Sequence, residues 1–444
     1  MTTKNIKKHF LHLSLSGSGK FINSIHYGCS KTGIAASEDE DANKLDRCKK
    51  VYIQAGLHAD EAPGYMVMHH LIDMLDTADR EGKIRGEIVC VPAANPIGFD
   101  QWIHDRLLGR FDISNGINFN RKYPDIINDT ARIIEGQLTD DPDKNRKTIQ
   151  DAMRIAIEKI NPDDEAGALK KLLFSLSFDA DIVLDLHCDN QAVMHMYTAT
   201  SLWPEAEDLA AWTGAEAILL ADDSGGEPYD EACSKIWWKL QEIYPDYPIS
   251  PSCLAATLEY RGEADVSTDM NRQDALNIFR FLEHRGYLCD QVQIGEPLLK
   301  PEQIPSLDSE TATSDSDTAT LFAIDATASC KAISIPSLKT YATPLSGVEH
   351  VKSSVGGIAC FFKKPGEMVH AGDKIAEIMN PYAFCKDSVK ADQSRDSRIT
   401  DIFCKTDGLL FSLIFDRMVR PGRILAKIAG TKEIEGKGSN LLTA

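Results

Sequence analysis

VYIQAGLHADEAPGYMVMHHLIDML, residues 51–75, reads as strand, loop and helix in immediate succession. VYIQAG is a short apolar run closed by Gly56, as a buried strand is. Beyond it, Tyr65, Met68, Ile72 and Leu75 recur at helical spacing. Between the two, GLHADEAPG places His58 and Glu61 three positions apart on a loop leaving a strand tip. A divalent zinc ion takes imidazole nitrogen at ~2.0–2.1 Å and carboxylate oxygen at ~2.0–2.2 Å, and such a loop can aim both side chains at one ion. In the bland alternative, His58 caps the helix and Glu61 is solvated near its positive end.

Working outward, GEIVCVPAANP (86–96) is a second strand that ends in a turn before Pro96. Residues 130–178 are charged and helix-prone, and they lead into a third buried-type strand, DADIVLDLH (179–187). LAATLEYRG (254–262) is a fourth, and NRQDALNIFRFLEHRGYL (271–288) reads as a closing amphipathic helix. Strands alternating with helices predict an α/β domain with a mixed central sheet flanked by helices, spanning residues 1–290. Within it, the acidic stretch AASEDEDANKLDRCKK (35–50) is expected to be a solvated loop. Residues 291–340, with the Ser/Thr/Asp-rich SLDSETATSDSDTAT at 306–320, are expected to be a linker.

Residues 341–444 change to short strands and Gly turns. GGIACFFKKPGEMVHAGDKIAEI (356–378) and DGLLFSLIFDRMVRPGRILAKI (407–428) echo each other, which predicts the two halves of an all-β barrel-sandwich module of biotinyl/lipoyl type. A swinging-arm carrier needs a lysine between methionines on an exposed hairpin. No Met-Lys-Met is present, and nothing distinguishes Lys386, Lys390 or Lys405, so a shielding or structural module is the better reading.

The 444 residues are 43% apolar and 26% charged, which is an ordinary globular composition and excludes wholesale disorder. No apolar run approaches the roughly 18–20 residues of a membrane span, and the N-terminus lacks a cleavable leader pattern. The net charge of -19 makes nucleic acid and anionic lipid poor partners, and an anionic ligand would need a local arginine cluster. Eleven cysteines without a CxxC, among them Cys90, Cys188, Cys233 and Cys253 in apolar contexts, suit reduced thiols in a cytoplasm.

Asp185-Leu186-His187 ends the third strand, and period-2 alternation puts Asp185 and His187 on one side of it. His187 is a candidate third ligand and Asp185 a carboxylate that orients it. Two His and one Glu leave a fourth position for water, as catalytic rather than structural zinc sites do. Asn120 and Arg121, preceded by Arg110, can hold a carboxylate through an amide donor and the guanidinium fork. Glu259, on the late strand, is a candidate general base. Against these stand a surface salt bridge for Arg121, worth ~0–1 kcal/mol, and a buried pair with Arg261 for Glu259.

In this order and context, these residues resemble the succinylglutamate desuccinylase/aspartoacylase family of zinc carboxypeptidase-like hydrolases, over roughly residues 50–290 and in the C-terminal β region. The resemblance implies one zinc ion per chain on His58, Glu61 and His187. It also implies a carboxylate grip by Asn120 and Arg121, Glu259 as catalytic acid/base, and an arginine that polarises the scissile carbonyl. Arg110 is the nearest candidate for that arginine, with Arg106 competing. The spacing before Asn120 is longer than the family's, residues 130–178 lengthen the gap to His187, and a substrate-contacting tyrosine of the C-terminal region is not placed.

The expected function is a zinc-dependent hydrolase acting on the carbon–nitrogen bond of a small anionic N-acyl amino acid. Alternatives are a zinc carboxypeptidase on short peptides and a non-catalytic binding protein on the same fold. A homo-oligomer is compatible with the sequence. SGSGK (16–20) fails the phosphate-loop pattern at Ser14 and Phe21, and His69 and His70 read as packing or surface residues. Cys188 reads as an inert buried thiol, and the loop GEPYDEAC (226–233), with Tyr229, as a candidate cleft wall.

Overall fold

The computed structural model describes residues 2–11, 13, 18–28, 49–289, 334–382, 398–438 and 440–442. The acidic stretch at 35–48, the linker at 306–320, Lys386 and Lys390 lie outside the described residues.

The strands of the first part are β1 (Asn5–Phe10), β2 (Phe21–Tyr27), β3 (Lys50–Ala55), β4 (Glu87–Val91), β5 (Trp102–Ile103) and β6 (Arg106–Leu107). They continue as β7 (Ile182–Asp189), β8 (Gln191–Ala192), β9 (His195–Thr198), β10 (Ala217–Leu220), β11 (Leu254–Gly262) and β12 (Ala342–Pro344). The helices are α1 (Ala62–Arg80), α2 (Pro96–Phe99), α3 (Ile127–Ile134), α4 (Pro142–Glu158), α5 (Glu165–Ser177), α6 (Glu207–Thr213), α7 (Tyr229–Ile243) and α8 (Thr268–His284).

Nine strands form one mixed sheet in the order β1-β2-β4-β3-β7-β11-β9-β10-β12. Its centre, β4-β3-β7-β11, is parallel, while β2 and β9 join antiparallel. Alternation along the strands divides the core in two. Val51, Ile53, Leu184, Leu186, Ala256 and Leu258 pack with α1, α6 and α8 on one face. Tyr52, Val89, Val183 and Ala255 pack with α3, α4, α5 and α7 on the other. Each fully buried Leu, Ile or Val here contributes ~1.5–3 kcal/mol. Gln54, Asp185, His187, Thr257 and Glu259 share the parity of the second face, so polar side chains at the strand ends all emerge on one side of the sheet.

The remaining strands are β13 (Val348–Lys352), β14 (Gly357–Phe361), β15 (Met368–Val369), β16 (Lys374–Met379), β17 (Ile399–Phe403), β18 (Gly408–Leu413), β19 (Met418–Val419) and β20 (Ile424–Gly430). They make two sheets, β13-β20-β18-β15 and β17-β16-β14-β19, around a separate apolar cluster. The two echoing segments exchange their short strands: β15 pairs with β18 of the second, and β19 with β14 of the first. The exposed Lys405 precedes β18, and its backbone N–H donates to the Glu349 carboxylate.

This β region is stitched to the central sheet. β12, too short to show a period in the sequence, adds to the sheet edge beside β10. β8 pairs with β18, and the Lys427 ammonium of β20 lies 2.5 Å from Asp189 Oδ2 at the end of β7. Burial pushes the Asp189 carboxyl up, but Lys427, with His195 and the Asn190 N–H, outweighs this and holds it well below the usual carboxylate range. A depressed carboxyl stabilises the fold above its unfolded pKa of ~3.9 and loses that contribution as pH falls through the folded value. Lys427→Met is therefore expected to cost about 1.5–3 kcal/mol in chemical denaturation at pH 7, with the deficit narrowing below about pH 4. A deficit that stayed constant down to pH 2 would rule out this pair as its source. No helix among the described residues is long and apolar enough to cross a membrane.

Candidate active site

The site lies beyond the carboxyl ends of β3, β7 and β11, the position that open α/β sheets use for ligands. Register sets its frame. Gln54 of β3 pairs with Asp185, Thr257 of β11 pairs with Asp185 from the other side, and Glu259 pairs with His187. Asp185 is fully buried, accepts from Gln54 Nε2 at 3.0 Å and holds His187 Nε2 at 2.9 Å. Tyr52 donates to Gln54 Oε1 in turn at 2.9 Å, so a buried chain of three side chains fixes the imidazole.

The loop between β3 and α1 delivers His58 and Glu61. Gly56 turns it with φ +74°, and any Cβ there would collide with the Tyr65 ring. Gly64, in the first turn of α1, allows the helix to approach the Leu186 carbonyl, where a Cβ would sit 2.8 Å from that oxygen. Glu61 is the N-cap residue of α1, yet its side chain makes no capping bond, and Pro63 in that turn needs no N–H acceptor. The carboxylate turns inward instead and is 4% exposed. His58 is equally buried, so the reading in which His58 caps the helix and Glu61 is solvated does not hold: β7 lies against this turn.

Glu61 Oε1 is 2.8 Å from His58 Nδ1, and Oε2 is 2.8 Å from His187 Nδ1 and 3.0 Å from the Cys188 N–H. His58 Nε2 meets Asn118 Oδ1 at 2.7 Å, and His187 Nε2 meets Asp185 Oδ2. Both Nε2 partners are acceptors, so each Nε2 carries a proton and each Nδ1 directs its remaining position at Glu61. One ligand atom from each of the three residues falls within 4.8 Å of the others. Two imidazole nitrogens facing one carboxylate, with their outer nitrogens anchored, form a donor set that fits a divalent metal ion.

Charge in the cluster is unevenly held. Burial and the nearby Arg110 depress His58 to about 4. Burial also opposes charge on His187, but Asp185 and Glu61 outweigh it and hold that imidazole well above its ordinary value. Arg110 Nη1 reaches Glu61 Oε1 at 2.8 Å and His58 Nδ1 at 3.2 Å, whereas Arg106 is exposed on the β5–β6 hairpin. Of the two, Arg110 is the one that reaches the cluster.

Glu259 lines the same cavity as His58, Arg110, Asn120, Arg121 and His187. Its Oε2 is buried with no hydrogen-bond partner among the described residues, and burial together with Glu61 raises its carboxyl to about 8. The pair with Arg261 does not form. A register shift after Glu259, with Arg261 at φ +62°, turns Arg261 to Asp274 on α8, where Nη1 donates at 3.3 Å. Asn120 Oδ1 accepts from the Tyr229 N–H at 2.8 Å, which leaves its NH2 to serve as the amide donor. Arg121 is drawn into the cavity wall, with Nη1 on the Asn120 carbonyl at 2.6 Å.

Residues 47–155 match the family model described as the succinylglutamate desuccinylase/aspartoacylase catalytic domain. Over these residues the chain resembles that family. Solved structures agree in fold along almost the whole chain. A protein from Shewanella frigidimarina NCIMB 400, provisionally assigned as a succinylglutamate desuccinylase/aspartoacylase, superposes with TM-score 0.72 at 21% identity, covering 97% of this chain and 98% of that one. A family protein from Shewanella amazonensis SB2B gives 0.69 at 21%, over 96% and 98%. The product-bound ectoine utilization protein EutE (DoeB) from Ruegeria pomeroyi gives 0.55 at 14%, over 96% and 95%. No curated protein matches the sequence.

Several residues in or beside the cavity carry no local sequence signal. Asn118 is one: local sequence points to Asn120 and Arg121 for a clamp, and Asn118 meets His58 Nε2 only once the loop closes. Leu345, Lys427 and Leu442 reach the cavity from the C-terminal β region. The Leu441 N–H donates to the Ser224 carbonyl at 2.8 Å, which ties the end of the chain to the cavity wall. Cys188 is buried, and burial pushes its thiol far up, so it stays protonated beside His187. His69 and His70 lie on α1 with Asp73, outside the cavity.

Proposed function

We propose that the protein is a zinc-dependent deacylase that hydrolyses the amide bond of an N-acyl amino acid with a free carboxylate. The observation that carries this reading is one cavity lined by His58 and His187, which flank the Glu61 carboxylate, by Glu259, whose Oε2 has no hydrogen-bond partner among the described residues, and by Asn120 and Arg121. A divalent ion on His58, Glu61 and His187 would supply Lewis acidity, polarising a carbonyl and lowering the pKa of water toward ~7.

The chain's own residues do the rest. Asn120 donates through its NH2, and Arg121 through its guanidinium, to the substrate carboxylate, which orients the amide and discriminates against ligands that lack the anion. Glu259, held out of water, takes the proton released as water attacks and returns it to the departing nitrogen. Arg110 stands beside Glu61 where negative charge develops on the carbonyl oxygen, and its guanidinium stabilises that charge. Asp185 and Asn118 hold the two imidazoles in the tautomer that presents Nδ1. The β region that follows β12, which we read as a biotinyl/lipoyl-type module, narrows the cavity with Lys427 and Leu345.

The test is a panel of N-acetyl and N-succinyl amino acids, with dipeptides alongside, offered to protein loaded with one equivalent of zinc. Release of free amino acid from the acylated compounds is expected. Cleavage of the dipeptides alone would favour a carboxypeptidase. Arg121→Ala is expected to raise KM for the best substrate about tenfold to a hundredfold, because it removes a charged hydrogen bond made before and during the reaction. An unchanged KM would remove Arg121 from the clamp.

A further inference from the structure

This inference rests on the deacylase reading and names the substrate class. Helix α7 starts against the clamp through the Tyr229 N–H on Asn120, and its next two residues, Asp230 and Glu231, both line the cavity. They are 8% and 7% exposed. Glu231 Oε1 accepts from the Ser224 N–H at 2.8 Å and from the Ser224 hydroxyl. Its Oε2 is buried and has no hydrogen-bond partner among the described residues. Burial holds both carboxyls high, Asp230 at about 6 and Glu231 at about 7. Arg121 lies close enough to act on both, and Arg110 and Lys427 also line the cavity, yet no cation hydrogen-bonds Glu231 Oε2 among the described residues.

A helix dipole explains why acidic residues occur in a first turn. It does not explain a buried carboxylate oxygen left unpaired on a residue that lines the cavity, since a buried acceptor without a donor is costly and a cation would satisfy it. The same cavity also carries aliphatic surface from Leu219, Leu345 and Leu442.

We propose that the leaving fragment of the substrate carries a second, cationic nitrogen that docks on Glu231 and Asp230: the substrate is an acylated diamino acid. Its carboxylate meets Asn120 and Arg121, its methylene stem runs along the leucines, and its ammonium reaches Glu231 Oε2. A neutral side chain leaves that oxygen unpaired, and an acidic one is repelled.

The experiment compares Nα-acetyl-L-ornithine with Nα-acetyl-L-norvaline, which matches its stem but lacks the ammonium, and with N-acetyl-L-glutamate, on zinc-loaded protein. Calorimetric binding of L-ornithine and L-norvaline to loaded and metal-free protein runs in parallel. The wild type is expected to favour the ornithine compound about tenfold to a hundredfold in kcat/KM, mainly through KM, with the glutamate compound poorest. Glu231→Gln, which can still accept from Ser224, and Asp230→Asn are each expected to reduce that ratio severalfold. Equal kcat/KM for ornithine and norvaline compounds in the wild type, or a ratio unmoved in both variants, overturns the proposal while leaving the deacylase reading intact. If none of the three is hydrolysed, acetyl is not the acyl group or the deacylase reading fails, and binding decides the subsite. Ornithine bound at least tenfold more tightly than norvaline, with the difference lost in Glu231→Gln, upholds it; equal binding removes it.

Discussion

Replacing His187 by Ala is expected to abolish stoichiometric zinc binding and, with it, all measurable deacylation. His187 supplies one of three donor positions, and its removal also leaves Glu61 Oε2 with only the Cys188 N–H on that side. Losing an outer hydrogen-bonding partner of a ligand costs ~10–100-fold in metal affinity, so losing the ligand itself must cost more. A metal contributes several kcal/mol to the transition state, and each ~1.4 kcal/mol is tenfold in rate, so turnover should fall by at least ~10³-fold. Elemental analysis of wild type and variant, purified without chelator and reconstituted with zinc, reads the outcome directly. Asp185→Asn is the graded companion: it keeps a side chain opposite His187 Nε2 and should lose ~10–100-fold in affinity without loss of the site. One zinc per chain retained by His187→Ala would refute the three-residue assignment.

Glu259→Gln is expected to keep its zinc and lose at least ~10²-fold in turnover, with little change in KM. The substitution preserves volume at a buried position, and Glu259 is outside the donor set, so the fold and the metal provide the control. The pH profile adds a readout that a packing role would not move. Glu259 works as a base in its ionised form, so activity rises as pH climbs through its pKa. Burial and the Glu61 carboxylate raise that value to about 8, and a cation bound between Glu61 and the imidazoles pulls it back down. The acid limb of kcat/KM should therefore lie above the ~4.3 of an ordinary glutamate and below about 8, and it should disappear in the Gln variant. Near-normal turnover in Glu259→Gln would take this residue out of the chemistry.

Much of this arrangement was already written in local sequence. Alternation along DADIVLDLH and LAATLEYRG sends Asp185, His187 and Glu259 to one face, because a strand has a period of two whatever surrounds it. The run from VYIQAG through GLHADEAPG to a helical repeat specifies a turn at a strand tip, and with it the place of His58 and Glu61. The echo between 356–378 and 407–428 announces paired β units before any pairing is known.

Other features depend on distance in the chain. Whether Glu259 stands beside His187 is decided by the register of β11 on β7, and no local pattern encodes register between strands about 70 residues apart. The bulge that turns Arg261 to Asp274 is likewise a product of packing against α8. Arg110 prevails over Arg106 because the loop folds Gly109 against Ala59, so its guanidinium falls on Glu61 while the hairpin carries Arg106 into solvent. Asn118, Asp230, Glu231 and Leu442 meet the site only after loop closure, which draws segments together from across the chain. Sequence by itself determined which side chains share a face and which turn carries the donor pair, since those follow from backbone periods of a few residues. Tertiary structure alone decided which of them meet, because contacts between distant segments are selected by the packing of the whole core.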